Sequence, residues 1–189
     1  MKFLSLTTAI LVISLTGFAQ LWTADKAHSK LGFTVTHLLV SDVDGAFKTF
    51  DLKVTASKDD FSDATVELTA DAGSVDTENE NRDNDLKSPK FFDVAKFPTL
   101  SFKSTSFQKV DEKNYKLKGD LTIHGVTKPI ELDVVLKGTG VNPMNNKPVA
   151  GFKIAGNIKR KDFEVGTNFS TAVVSDEVEI KANIELRKD

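Results

Sequence analysis

The chain has 189 residues, a formal net charge of −2 and no cysteine, which excludes thiol catalysis, cysteine-ligated zinc, disulfides and a lipid-modified cysteine. Its charges are mixed along the sequence with no basic block, which argues against nucleic acid or an anionic membrane surface as a main partner. Without disulfides, stability must come from a sizeable core.

Lys2, an apolar run from Phe3 to Phe18, and Gly17-Phe18-Ala19 ahead of Gln20 have the form of a secretory signal peptide over residues 1–19. The run is diluted by Ser5, Thr7, Thr8, Ser14 and Thr16 and is shorter than the roughly 20 apolar residues of a membrane span. Its removal leaves 170 residues with a net charge of −3, since only Lys2 is lost. That is enough for one domain with one core. The expected location is the periplasm or the medium, with no stable membrane insertion of the mature chain.

From there the dominant pattern is strict alternation. It predicts eight strands, at 31–38, 46–56, 64–77, 99–108, 114–123, 129–138, 150–159 and 177–187. On the first, Phe33, Val35 and His37 share one face against Thr34 and Thr36; on the second, Phe50, Leu52 and Val54 oppose Asp51 and Lys53. The third loses parity at Gly73, where a bulge or bend is expected. Residues 78–90 are polar and unpatterned, and read as a short helical segment crossing one end of the sheet before Phe91 and Phe92. Further along, the apolar face carries Phe102, then Tyr115, Leu117 and Leu121, then Leu132 and Val134, then Ile154 and Ile158. Such period-two patterning requires strands with one buried and one wet face.

Eight sequential antiparallel strands hide one apolar face either as a sandwich or as a closed barrel. Their length, about ten residues, and their sequential order favour an all-β, eight-stranded antiparallel barrel. A barrel of that size is filled by side chains or holds one small ligand, and composition leaves both readings open.

Several segments together resemble the YceI-like family of exported polyisoprenoid-binding proteins: Trp22-Thr23-Ala24-Asp25-Lys26-Ala27-His28-Ser29, Phe33-Thr34-Val35-Thr36-His37-Leu38, Val43-Asp44-Gly45-Ala46-Phe47, Arg82-Asp83 with Leu86-Lys87-Ser88, Phe91-Phe92-Asp93, Phe97-Pro98-Thr99 and Gly119 to Pro129. The resemblance spans the mature chain. It implies a lipocalin-like barrel whose pore takes a prenyl chain, with no catalytic residue and no cofactor. Many members carry histidine where this chain has Asp85, which bears on headgroup choice.

Phe91 and Phe92 either plug one barrel end or line the ligand's way in with Leu86 and Phe97. Arg82, Lys87 and Arg160 could meet a headgroup, although solvated surface charges are the commoner outcome. His28, His37 and His124 lie on separate elements without metal-ligand spacing. Of these, His37 has inward parity and is a candidate pore-lining residue, although a satisfied core histidine is the commoner outcome, and His124 reads as a hydrogen-bonded or solvated turn residue. Asp25, His28 and Ser29 are the residue types of a nucleophile triad, but neighbours in one short segment rarely reach triad geometry. Asn168-Phe169-Ser170 matches a glycosylation sequon, a pattern too short to carry weight. The leading expectation is therefore a non-enzymatic carrier of a long isoprenoid lipid, with a homodimer left open. Its rivals are a solid-core secreted protein acting through surface contacts, and a hydrolase or isomerase acting on a lipid.

Overall fold

The computed structural model describes residues 19–188; the signal peptide expected up to Ala19 lies, but for Ala19 itself, outside them. The strands are β1 (Gln20–Ala24), β2 (Lys30–His37), β3 (Ser41–Phe47), β4 (Phe50–Ala56), β5 (Thr65–Asp71), β6 (Val75–Asp76), β7 (Thr99–Lys109), β8 (Asn114–Ile123), β9 (Val126–Val141), β10 (Pro148–Lys159) and β11 (Val174–Lys188), with one helix, α1 (Glu80–Lys87).

Hydrogen bonding runs in the order β1-β4-β5-β7-β8-β9-β10-β11, and the ring closes because β11 also pairs with β1, Ala24 opposite Leu186 and Trp22 opposite Lys188. β2, β3 and β6 continue β1, β4 and β5 past local breaks, pairing onto β11 and one another. The eleven segments thus amount to the expected eight antiparallel strands of a closed barrel. The break at Gly73 is the expected bend: a 3-10 turn over Ala72–Ser74, with the Asp71 carboxylate accepting from the Gly73 N–H at 2.8 Å.

Three stretches go beyond the alternation. β1 is too short to declare a period, although Trp22 and Ala24 are buried on its inner face. Residues 41–45 are extended but offer Val43 as their one apolar side chain. The end of β9, Lys137–Val141, projects beyond the core and is exposed, so nothing there demands alternation.

The outer wall is charged. Glu67 faces Lys103 at 3.5 Å, Asp133 faces Lys116 at 2.7 Å and Glu131 faces Lys118 at 3.2 Å, all between directly paired residues. Exposed pairs of this kind add little stability, but like charges in a slipped register would repel. The polarity is the reverse of a membrane-spanning barrel, which is apolar outside. Among the described residues no helix is long and apolar enough to cross a membrane.

The two barrel ends differ. At one, the β4–β5 loop, residues 57–64, turns inward as a plug. Phe61 is 1% exposed, with its ring 5.1 Å from Trp22 and 5.2 Å from Phe152. Tyr115 donates to the Asp60 carbonyl at 2.6 Å, and Lys109 holds the Asp60 carboxylate at 2.8 Å. The other end gathers α1, residues 88–98, the β2–β3 turn and residues 160–173. At eight residues α1 is shorter than an isolated helix can sustain. It is capped by Asn79, which accepts from the Arg82 N–H, and tied down by Asp83, which accepts from the Thr77 N–H at 2.8 Å and its hydroxyl at 2.6 Å.

Candidate functional site

Side chains do not fill the barrel. A cavity of about 540 Å³ runs through it, within the range of small-molecule sites. Along β11 its lining extends from Val174 to Leu186, about 30 Å of barrel axis at the usual rise and strand tilt. So much length for that volume makes it a tunnel rather than a round chamber.

The wall is built from alternate residues of every long strand: Phe33 and Val35, Leu52, Phe102, Leu117 and Leu121, Leu132 and Val134, Ile154 and Ile158, with Leu86, Phe91 and Phe92 over the open end. His37 also lines it, in keeping with its inward parity, but at the rim and exposed rather than as a core histidine. Two expected residues do not line the tunnel. Phe50 is buried but borders instead a depression it shares with Ala24 and Leu52, because the chain kinks immediately before it. Phe97 packs against the β8–β9 turn, its ring 4.5 Å from that of His124. His124 is therefore neither solvated nor hydrogen-bonded at Nδ1, which is buried without a partner.

Why the tunnel stays open is visible at three glycines. Gly45, Gly119 and Gly156 occupy inward positions between Val43 and Phe47, Leu117 and Leu121, and Ile154 and Ile158. A Cβ at Gly45 would sit 2.3 Å from Cζ of Phe33; at Gly119 it would sit 2.4 Å from Cζ of Phe102, and at Gly156 2.5 Å from Cδ2 of Leu132. Those three large side chains lie flat along the wall over missing neighbours instead of projecting across the lumen.

Polar groups collect at the mouth. Asn81, Arg82 and Asp85 of α1, Thr77 and His37 all line the tunnel there. Arg82 is held in place, its Nε donating to the Thr77 hydroxyl at 2.7 Å and its Nη2 to the Thr77 carbonyl at 2.8 Å. Phe91 stacks on Phe169 at 4.8 Å and Phe92 meets Phe47 edge-on at 5.6 Å, so both rings border the opening with Leu86.

Sequence reasoning missed one part outright and the role of another residue that it had named only as a possible headgroup contact. The first is the Phe61 plug, a lone aromatic in a polar loop. The second is Arg160, which lines the tunnel and is 4% exposed. Its guanidinium donates to five carbonyls, those of Val165, Gly166, Phe169, Val174 and Ser175, and so knits residues 160–175 into a rigid rim. Burial pushes its pKa down, but a guanidinium stays charged. Lys87 is half-buried and does not line the tunnel.

Away from the tunnel, His28 Nδ1 lies 3.4 Å from Asp25 and 3.8 Å from Glu185. Among the described residues these three form the one group that could hold a metal ion. The nearby Ser29 hydroxyl is spent on the backbone of Glu185, accepting from its N–H at 3.1 Å.

Residues 22–186 match the YceI-like domain. The chain belongs to the YceI-like family. Protein YceI of Salmonella newport is 40% identical over 158 residues, 84% of this chain and 81% of that protein. Among solved structures, BcnA of Burkholderia cenocepacia superposes with a TM-score of 0.78 at 26% identity, covering 86% of this YceI-like chain and 98% of that one. A polyisoprenoid-binding domain from Saccharophagus degradans, implicated in plant cell wall breakdown, has a TM-score of 0.61 at 17% identity over 89% and 98% of the two chains, a likeness of fold. In this YceI-like barrel the family's architecture is accompanied by an open apolar tunnel with one plugged and one polar end.

Proposed function

We propose that the protein binds one long isoprenoid lipid, such as a prenylated quinone or phenol, with the chain in the tunnel and the headgroup at the mouth, for transport, storage or sequestration outside the cytoplasm. The tunnel carries this reading: an unfilled lumen of about 540 Å³ with an apolar wall has no use for a polar solute. Each buried methylene contributes about 0.8 kcal/mol, so ten of them supply roughly 8 kcal/mol before ordering costs are set against it. The family and the polyisoprenoid-binding description of the Saccharophagus degradans domain favour isoprenoid over other hydrocarbons. Asn81, Arg82, Asp85 and His37 are the groups offered to a headgroup.

Binding is favoured over catalysis because the one cluster of potential metal ligands among the described residues is the Asp25, His28 and Glu185 group on the outside of the barrel, none of which lines the tunnel. Export rests on the signal-peptide pattern of residues 1–19. Cleavage at Ala19–Gln20 would leave β1, which starts at Gln20, whole. Organic extraction of protein purified from its exported fraction, followed by mass spectrometry, is expected to release a prenyl lipid near one per chain. Recovery of straight-chain fatty acids alone, or of no lipid, overturns the proposal.

A further inference from the structure

In the β2–β3 turn, Leu38 and Leu39 both have positive φ, 52° and 58°, and the Val40 N–H donates to the His37 carbonyl at 3.0 Å. The turn has three residues, Leu38 to Val40, between the paired His37 and Ser41, and two successive positive-φ positions suit Asn and Gly, because most L-residues resist positive φ. Here two leucines occupy them, 53% and 71% exposed, followed by Val40 at 84%. Neither backbone preference nor hydration favours these residues at this place, and strained, exposed apolar positions of this sort point to a contact outside the chain.

The turn adjoins the mouth of the tunnel. His37 and Val43, on either side of it, line the lumen. The Leu38 N–H donates to the Val173 carbonyl at 3.0 Å, which joins the turn to residues 170–173, where Val173 is exposed and also lines the lumen. Residues 37–41 and 170–173 together contain no lysine, arginine, aspartate or glutamate. The exposed apolar residues at the plugged end are placed differently. Val110 is followed by Asp111, Glu112 and Lys113, while Val141 and Met144 stand in an asparagine- and proline-rich loop, and none of them lines the tunnel.

We propose that this uncharged apolar tip seats the mouth of the barrel on a lipid bilayer. Leu38, Leu39 and Val40 enter the headgroup layer, so that a hydrocarbon passes between bilayer and lumen without crossing water. The occupant follows from continuity: the apolar surface of the tip runs directly into a wall suited to acyl or prenyl chains. Shallow insertion of apolar side chains needs no anionic lipid, which fits a tip without charge. The purpose of the contact rests on the lipid-binding reading of the tunnel, but the contact itself is tested separately.

The test is flotation of the exported protein with phosphatidylcholine vesicles at low and high salt. It compares the parent with a variant carrying Leu38→Asn and Leu39→Gly, residues that suit the turn. The parent is expected to float at both salt concentrations. The variant should lose about tenfold or more of its vesicle partition, melt no lower than the parent, and bind farnesol by calorimetry as the parent does. Flotation equal to the parent's, or a parent that does not float, overturns the proposal. So does a parent that dimerises through the tip without floating, which would make the tip a self-association surface. Absence of farnesol binding in both proteins would instead count against the tunnel reading, while flotation still decides the tip.

Discussion

Gly119 and Gly156 look alike in sequence, each an inward glycine between two apolar neighbours, yet their surroundings separate them. At Gly156 the nearest obstacle to a Cβ is Cδ2 of Leu132, at 2.5 Å, the free end of a flexible side chain. At Gly119 the obstacles include the Lys103 carbonyl oxygen at 2.5 Å, which cannot move without disturbing the sheet. Gly156→Ala is therefore expected to leave the fold within about 1 kcal/mol of the parent, the gain in strand propensity offsetting the repacking. Leu132 would swing into the lumen and lipid affinity would fall several-fold. Gly119→Ala is expected to lose about 1–3 kcal/mol by overpacking against backbone. Urea unfolding and lipid titration on both variants separate the two effects. The apolar-x-Gly-x-apolar pattern on β3, β8 and β10 is present in the sequence but by itself does not separate a filled barrel from a hollow one. It takes its meaning only once the strands are known to close, since glycine at an inward position of a flat sheet marks a bend or bulge equally well.

Two carboxylates, Asp60 and Asp63, add to the packing of Phe61 in holding the plug over residues 57–64. Lys109 and the Ser62 N–H hold Asp60 well below the usual carboxylate range, and Asp63 is lowered by the Ser57 hydroxyl and the Ser57 and Lys58 N–H groups. Carboxylates depressed in the fold favour the plugged state at pH above the ordinary aspartate range, and that preference is lost as pH falls below about 4. Lys109, raised by the same pair, has the opposite sense: its contribution is present below the ordinary lysine range and is lost as pH rises through its higher folded value. The chain has a single tryptophan, Trp22, which packs on Phe61, so its emission reports on the plug. Acidification is expected to shift that emission to the red before the barrel unfolds. The pair of substitutions Asp60→Asn and Asp63→Asn should flatten this acid response, and an unchanged acid response would show that the carboxylates do not hold the loop. Strands such as β8 and β10 were readable because their alternation runs for ten residues or more. The plug and β1 were not, because Phe61 is one aromatic in a polar loop and five residues cannot establish a period.

At the scale of the whole molecule, the same alternation that declares a barrel is silent on whether the barrel is full. Filling depends on side-chain direction and on glycine positions across strands that are neighbours only after closure, β10 with β9 for instance, so lumen volume is a tertiary property. An unfilled lumen has a thermodynamic consequence. Apolar wall atoms facing empty space lack the dispersion contacts that a packed core would provide, so the empty barrel should be measurably less stable than the occupied one. A ligand that binds only the folded state adds RT ln(1 + [L]/Kd), about 2.7 kcal/mol at a hundredfold excess over Kd. For a domain of this size that corresponds to a rise in Tm of about 5–10 °C. Protein stripped by organic solvent and refolded should therefore melt lower than protein as purified, and prenyl lipid should restore the difference. A straight-chain alcohol of equal carbon number should restore less if the wall is shaped for a branched chain. Equal melting of stripped and loaded protein would mean that the tunnel is closed in solution and that no lipid occupies it.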